Sequence, residues 1–325
     1  MLKRLPFLAV VAVALATALV ACSSGSTSTS ESANSSSAPV TIAHQYGSTQ
    51  IPAHPTKVVT FGGAWSDALI KLGVPITAEF VTAGYSGPNN RFEWTPEHSS
   101  TVVPVQGVPD ISAVAKFDPD VILTGYLPDK STWERLSQIA PTIPVLKQGT
   151  QVDSWEDITL TAGEIFGKQK QAAAAVAEVN DQLAKVKEKY PNAQGKTFTF
   201  GQLTPQQQFG VVTSDNDPSS KLMAQMGLAL DPAVKSLSKD GSRVLVSAER
   251  VDLFSSDLLI FWPLVGGPES FDKIPGWSSL PAVRNGSTVF LTNDNAAAFS
   301  TPSIYSVPWA INKVEPALAK VRGNA

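Results

Sequence analysis

Only one cysteine, Cys22, occurs in the 325 residues, and only three histidines, His44, His54 and His98. One thiol cannot close an internal disulfide, so an exported chain with this composition needs another use for it. Three histidines offer little for a cage of imidazole and carboxylate ligands converging from several strand ends, and a bare metal ion is not expected. Charge is also sparse: 25 Lys and Arg stand against 28 Asp and Glu, a net of −3 with no basic run. That balance argues against nucleic acid as a partner. The chain has no G-x-S-x-G elbow, no H-E-x-x-H pair and no G-x-x-x-x-G-K phosphate loop. Without a recognisable nucleophile and base, it is not expected to be an enzyme.

One long apolar run is present. Lys3 and Arg4 precede Leu5 to Val20, and Leu19-Val20-Ala21-Cys22 follows. A charged start, a short apolar core and small residues at the junction describe a secretory signal, and the run falls short of the roughly 20 residues of a spanning helix. Leu-Val-Ala-Cys resembles the lipobox of bacterial lipoproteins. The resemblance implies loss of residues 1–21 and a diacylglycerol on Cys22, which tethers the mature chain to the cell membrane on its extracytoplasmic side. The formal charge then moves from −3 to −5 as Lys3 and Arg4 leave. Residues 22–38 are rich in Ser and Thr with almost nothing apolar, the composition of a flexible leash.

The remaining ~285 residues are enough for two domains. Comparison of the chain with itself supports that division. Thr56-Lys-Val-Val-Thr-Phe-Gly and Gly195-Lys-Thr-Phe-Thr-Phe-Gly both read as a buried strand ending in a turn. Helical patterns follow, from Asp67 to Gly73 and from Ser220 to Gly227, each closed by glycine. A third pair aligns Val114 with Val251, Phe117 with Phe254, Asp120 with Asp257 and Leu123 with Ile260. The order strand, helix, strand, helix, strand in each half predicts an α/β fold of two lobes with parallel-sheet cores and a ligand cleft between them. The expected bounds are 39–152 for the first lobe, 153–191 for a helical segment and 192–325 for the second lobe. Within the helical segment, Asp153 to Phe166 reads as one helix. Ala172, Val176, Val179, Leu183, Val186 and Tyr190 then form one apolar stripe over a helix long enough to run along both lobes as a spine.

Ligands of parallel sheets bind outside the carboxyl ends of strands. The loops there carry Trp65, then Tyr85, Arg91, Phe92 and Trp94, then Tyr126. The second half offers Gln206 to Phe209, Trp262, Asn295, Phe299 and Tyr305. Such side chains suit a bulky, partly apolar ligand, although aromatics also fill cores and seams between lobes. The candidate ligand-binding set is Trp65, Tyr85, Arg91, Trp94, Tyr126, Trp262, Asn295 and Tyr305. His44 and His54 flank a short hairpin-like stretch and are expected in solvent.

Four further stretches complete a family pattern: Ile51-Pro-Ala-His-Pro-Thr-Lys-Val-Val-Thr, Asp67 to Pro75, Phe117-Asp-Pro-Asp-Val-Ile-Leu, and Trp277-Ser-Ser-Leu-Pro-Ala-Val-Arg-Asn-Gly-Ser-Thr-Val-Phe. With the lipobox and a terminal helix from about Ser303, the chain resembles the iron-siderophore/cobalamin class of ABC-importer substrate-binding proteins over residues 39–321. The resemblance implies a monomer with two α/β lobes joined by one long helix, no resident cofactor, and a permease as partner. Its implied cargo is a ferric-siderophore complex, with haem or a corrinoid as the alternative. It also implies one exposed docking glutamate per lobe: Glu249 matches the second, while Ser112 stands where the first belongs. Where hydroxamate-binding members carry an arginine before the helix near Ile111, this chain has Gln106, leaving Arg91 and Arg243 as candidates for charge contacts. A different class of function, a non-transport cell-envelope binder on the same fold, is raised by Ser112.

Overall fold

The computed structural model describes residues 38–107 and 109–321, so the export signal, Cys22 and nearly all of the leash lie outside the described residues. The described chain opens with a hairpin of β1 (Val40–His44) and β2 (Gly47–Ile51), in which His44 faces Gly47. His44 is not in solvent. The hairpin lies against the first lobe through Gln45 N–H to the Val145 carbonyl, 2.9 Å, which buries the imidazole 5.3 Å from the Trp133 ring. Its Nε2 sits 2.8 Å from Thr49 Oγ1, and burial lowers its pKa. His54 remains exposed.

The first sheet holds β3 (Val58–Phe61), β4 (Ala78–Thr82), β5 (Thr101–Val105), β6 (Val121–Gly125) and β7 (Thr142–Pro144). All pairings are parallel, in the order β5-β4-β3-β6-β7. The crossovers include α1 (Gly63–Lys71), α2 (Ile111–Ala115) and α3 (Lys130–Ser137). Because β4 and β6 leave β3 in opposite directions, the loops at the carboxyl ends of β3 and β6 part and open a crevice.

The second sheet holds β8 (Thr197–Leu203), β9 (Gln208–Val211), β10 (Ala229–Leu230), β11 (Val244–Ser247), β12 (Leu258–Pro263) and β13 (Thr288–Phe290). Its order is β11-β9-β8-β12-β13, with β10 beside β8. The expected parallel core is present in β8, β10, β12 and β13, and two antiparallel strands extend it: β9 runs antiparallel to β8, and β11 antiparallel to β9. Only the turn Thr204 to Gln207 separates β8 from β9, and so short a connection can only return the chain antiparallel. Phe209 accordingly belongs to a strand. It is fully buried, 4.7 Å from the Phe254 ring and 5.2 Å from Phe261.

The aspartates aligned between the halves do the same work. Asp120 accepts from the N–H groups of Thr56 and Lys57 at 2.7 and 2.9 Å, tying the start of β3 to β6. Asp257 accepts from Thr197 N–H at 2.9 Å, tying β8 to β12. These bonds hold Asp120 below the usual carboxylate range.

All strands of the first sheet precede residue 145 and all strands of the second follow residue 196, so the chain passes once between the sheets. The passage uses α4 (Trp155–Ile165) and α5 (Gln169–Lys189). The apolar stripe of α5 divides between the cores: Ala172 packs into the first lobe, and Val176, Val179, Leu183 and Val186 into the second. In α4, Ile158 and Ala162 face the first core while Trp155 reaches the second. The link is therefore a close pair of helices. A Cβ on Gly163 would lie 2.5 Å from that of Ala172, so glycine sets how near the pair can come. The terminal helix, Ser306–Leu318, covers the second lobe.

Candidate ligand-binding cleft

A cavity of about 420 Å³ opens where β3, β4, β5 and β6 end, bordered by Phe61, Thr82, Val105 and Thr124. Of the residues expected from sequence, Trp65, Tyr85 and Tyr126 line it. Phe61, Phe80, Leu127 and Ile158 add wall that strand-end reasoning did not single out. The first turn of α1 approaches closely because Gly63 has no side chain; a Cβ there would lie 3.0 Å from the Phe92 ring. Two residues on, Trp65 is 2% exposed, yet its indole N–H has no hydrogen-bond partner among the described residues. A buried donor left without an acceptor is costly, and an acceptor on a guest that reached it would recover that cost.

Tyr126 stands at the mouth with 59% of its surface exposed. Tyr85 reaches across to the second lobe, where its hydroxyl bonds with Ser300. Burial pushes its phenol up, the Arg243 charge and the Ser300 bond oppose that, and Asp294 adds to it.

The other expected residues do not line this cavity. Arg91 turns into a polar cluster: its guanidinium donates to Ser100 Oγ at 3.1 Å, and lies 2.8 Å from His98 Nδ1 and 3.9 Å from Glu79 Oε1. Burial pushes the Glu79 carboxyl up, but bonds from Ser100, Ser66 and His98 outweigh it and hold the group below its ordinary value. Trp262 is buried in the second core with its ring 5.0 Å from Phe200 and its indole N–H donating to Asn293 Oδ1 at 3.2 Å. Asn295 sits in the turn after β13, its N–H directed to Thr292 Oγ1 at 3.4 Å.

Trp94 and Tyr305 lie at the seam between the lobes. Trp94 stacks on Phe92 at 4.5 Å and meets Trp309 of the terminal helix at 5.3 Å. Tyr305 is half-buried, with Lys71 Nζ 5.8 Å from its ring centre. The residue at this seam that sequence reasoning missed is Asp67. It is fully buried and accepts from Thr95 Oγ1 at 2.7 Å, from the Trp94 indole and from the Ser303 hydroxyl. Burial pushes its carboxyl up to about 6 against those bonds. Its one signal was a charge inside the helical pattern from Asp67 to Gly73.

Ser112 and Glu249 are both exposed, at the start of α2 and of the short helix Ala248–Leu253. The two turns are built alike with the residues exchanged. In the first, the Asp110 carboxylate caps Ser112 N–H at 3.2 Å; in the second, the Ser247 hydroxyl caps Glu249 N–H at 3.3 Å. Asp110 is thus engaged as a cap, while Glu249 is not. Among the described residues, no group of three or more His, Cys, Asp or Glu could hold a metal ion, and no helix is long and apolar enough to cross a membrane.

Comparison with known proteins agrees with this architecture. The putative ABC transporter substrate-binding lipoprotein YhfQ of Bacillus subtilis is 25% identical over 266 residues, covering 76% of this chain and 79% of its own. The ferric enterobactin-binding periplasmic protein FepB of Escherichia coli is 29% identical over 163 residues, 46% of this chain and 49% of its own. Streptococcus pneumoniae PiaA, solved in complex with ferrichrome, superposes with a TM-score of 0.71 at 22% identity, over 87% of this chain and all of that one. The profile of the periplasmic binding protein family matches residues 70–295, and the chain belongs to that family.

Proposed function

We propose that the chain is a lipid-anchored, extracytoplasmic solute-binding protein that captures a ferric-siderophore complex and hands it unaltered to the permease of an ABC importer. The observation that carries the reading is the aromatic-walled cavity at the strand ends of the first sheet, with an unpartnered indole donor in its wall. A concave, mostly apolar site with a few placed polar groups suits a bulky chelate. The ferric-siderophore relatives support that cargo, and the lipobox supports the anchor. Haem or a corrinoid is the alternative cargo for the same aromatic walls. The protein acts as a monomer, with α4 and α5 limiting the lobes to small closure.

Titration of the mature protein with ferric siderophores, followed by tryptophan fluorescence, tests capture. Saturable quenching by a ferric complex and not by the iron-free chelator is expected. Silence toward every iron chelate, with retention on cell-wall polymer instead, would replace this reading by the envelope-binding one. For the anchor, Cys22→Ala should release the protein from the membrane fraction.

A further inference from the structure

We propose that this cleft selects ferric chelates that are neutral or singly positive overall and rejects multiply anionic ones. The proposal rests on the ferric-chelate reading of the same site. Among the described residues, no lysine, arginine or histidine lines the 420 Å³ cavity. Its one charged wall residue is Asp153, whose oxygens accept from Leu146 N–H at 2.9 and 3.0 Å.

Three of the cations nearby, Arg91, Arg243 and Lys147, are already matched. Arg91 is held by Ser100, His98 and Glu79. Arg243, across from Tyr85, is paired with Asp217 at 3.2 and 3.0 Å, and Asp294 lies on the same side. A second cavity of about 370 Å³ shares Val152 and Asp153 with the first; it brings Lys147 and Lys221, but Glu156 and Asp157 with them. Lys147 is paired with Asp157. Neither space carries net positive charge.

What the wall does present is neutral. The Trp65 indole N–H is buried and without a partner among the described residues, and it suits an oxygen acceptor on a chelate that reaches it. The exposed Tyr126 ring and the Phe92 ring offer aromatic faces, which attract cations and repel anions. Moving a multiply charged anion from water onto such a wall forfeits its hydration with no opposite charge in return, whereas a neutral complex loses little.

The test titrates the mature protein with three ferric complexes: an uncharged trihydroxamate, a trihydroxamate with one pendant ammonium (1+), and a tricatecholate (3−). The first two should bind at least ~100-fold more tightly than the third, the scale set by an uncompensated charge on a partly enclosed wall. Gln151→Lys places a cation on an exposed stretch of the lining. It should tighten the 3− complex by about tenfold and weaken the 1+ complex, with both effects shrinking in high salt. Binding of the 3− complex within about tenfold of the neutral one overturns the charge selection while leaving ferric-chelate capture standing. No binding of any of the three overturns the ferric-chelate reading and this proposal with it.

Discussion

The Ser303 hydroxyl donates across the seam to Oδ2 of Asp67, joining the loop before the terminal helix to the middle of α1. Thr95 and Trp94 complete the carboxylate's partners, so the seam closes around one fully buried acid. The acid is ionised at neutral pH at a cost, because burial raises its pKa from 3.8 to about 6.

The sign of the pH dependence follows from that shift. Between pH 4 and 6 the folded state holds a proton on Asp67 that the unfolded chain releases, so stability falls as pH rises through this window. Above pH 6 the full cost applies, on the order of 3 kcal/mol. Asp67→Asn keeps an acceptor for Ser303 and removes the charge. The difference in unfolding free energy between variant and wild type should be small at pH 4 and grow in the variant's favour up to pH 7. Denaturant melts at four pH values measure it, and a difference that does not change with pH would contradict the assignment.

The tryptophans separate into wall and core. Trp65→Phe keeps a ring but removes the unpartnered N–H; folding stability should hold or rise, while cargo affinity falls by about 3- to 10-fold, the value of one hydrogen bond. Trp262→Ala should do the reverse. It empties a packed site in the second core at a cost of about 3–5 kcal/mol, with affinity per folded molecule little changed. Melting curves paired with cargo titrations read both.

That contrast shows what the sequence could and could not convey. The two sheets, the single passage through α4 and α5, and the equivalence of Asp120 and Asp257 were legible, because they rest on apolar periodicity and on repeated spacing. Trp65 and Trp262 looked alike, since each lies near the end of a strand. Distance from a strand end is written in the sequence, but the face is not: every residue of β12 is buried, and alternation along it gives no clue. The reversal at β9 was hidden in a turn without the Asn-Gly or Asp-Gly signal of a tight hairpin. Asp67 was invisible as a seam residue because its partner Ser303 is 236 positions away.

The helix pair gives a prediction about the link. Alanine is usually better than glycine inside a helix by about 1 kcal/mol. At Gly163 the close approach to Ala172 should reverse that preference. Gly163→Ala is expected to destabilise by about 1–3 kcal/mol through overpacking. The double variant with Ala172→Gly should recover part of the loss beyond what the glycine itself forfeits. Additive losses, read from thermal or denaturant melts of the four proteins, would show that the two residues do not set the spacing.

Docking tests the exchange of residues between the two capped turns. In the second lobe Glu249 is exposed and its side chain makes no ion pair among the described residues, so its carboxylate is open to a cationic partner. In the first lobe the only carboxylate of the turn, Asp110, accepts from both the N–H and the hydroxyl of Ser112. If delivery uses two matching points, the second lobe carries most of the attraction. Glu249→Ala should then reduce cargo uptake in cells strongly, while cargo affinity and melting temperature stay unchanged. Ser112→Glu places a carboxylate at the equivalent position and also frees Asp110 from the serine hydroxyl. It should raise association with the permease, by an amount that shrinks as salt rises, since exposed charges are screened over about 10 Å at 0.1 M. Uptake that is indifferent to both changes would point to a cell-envelope role in which these turns meet no permease.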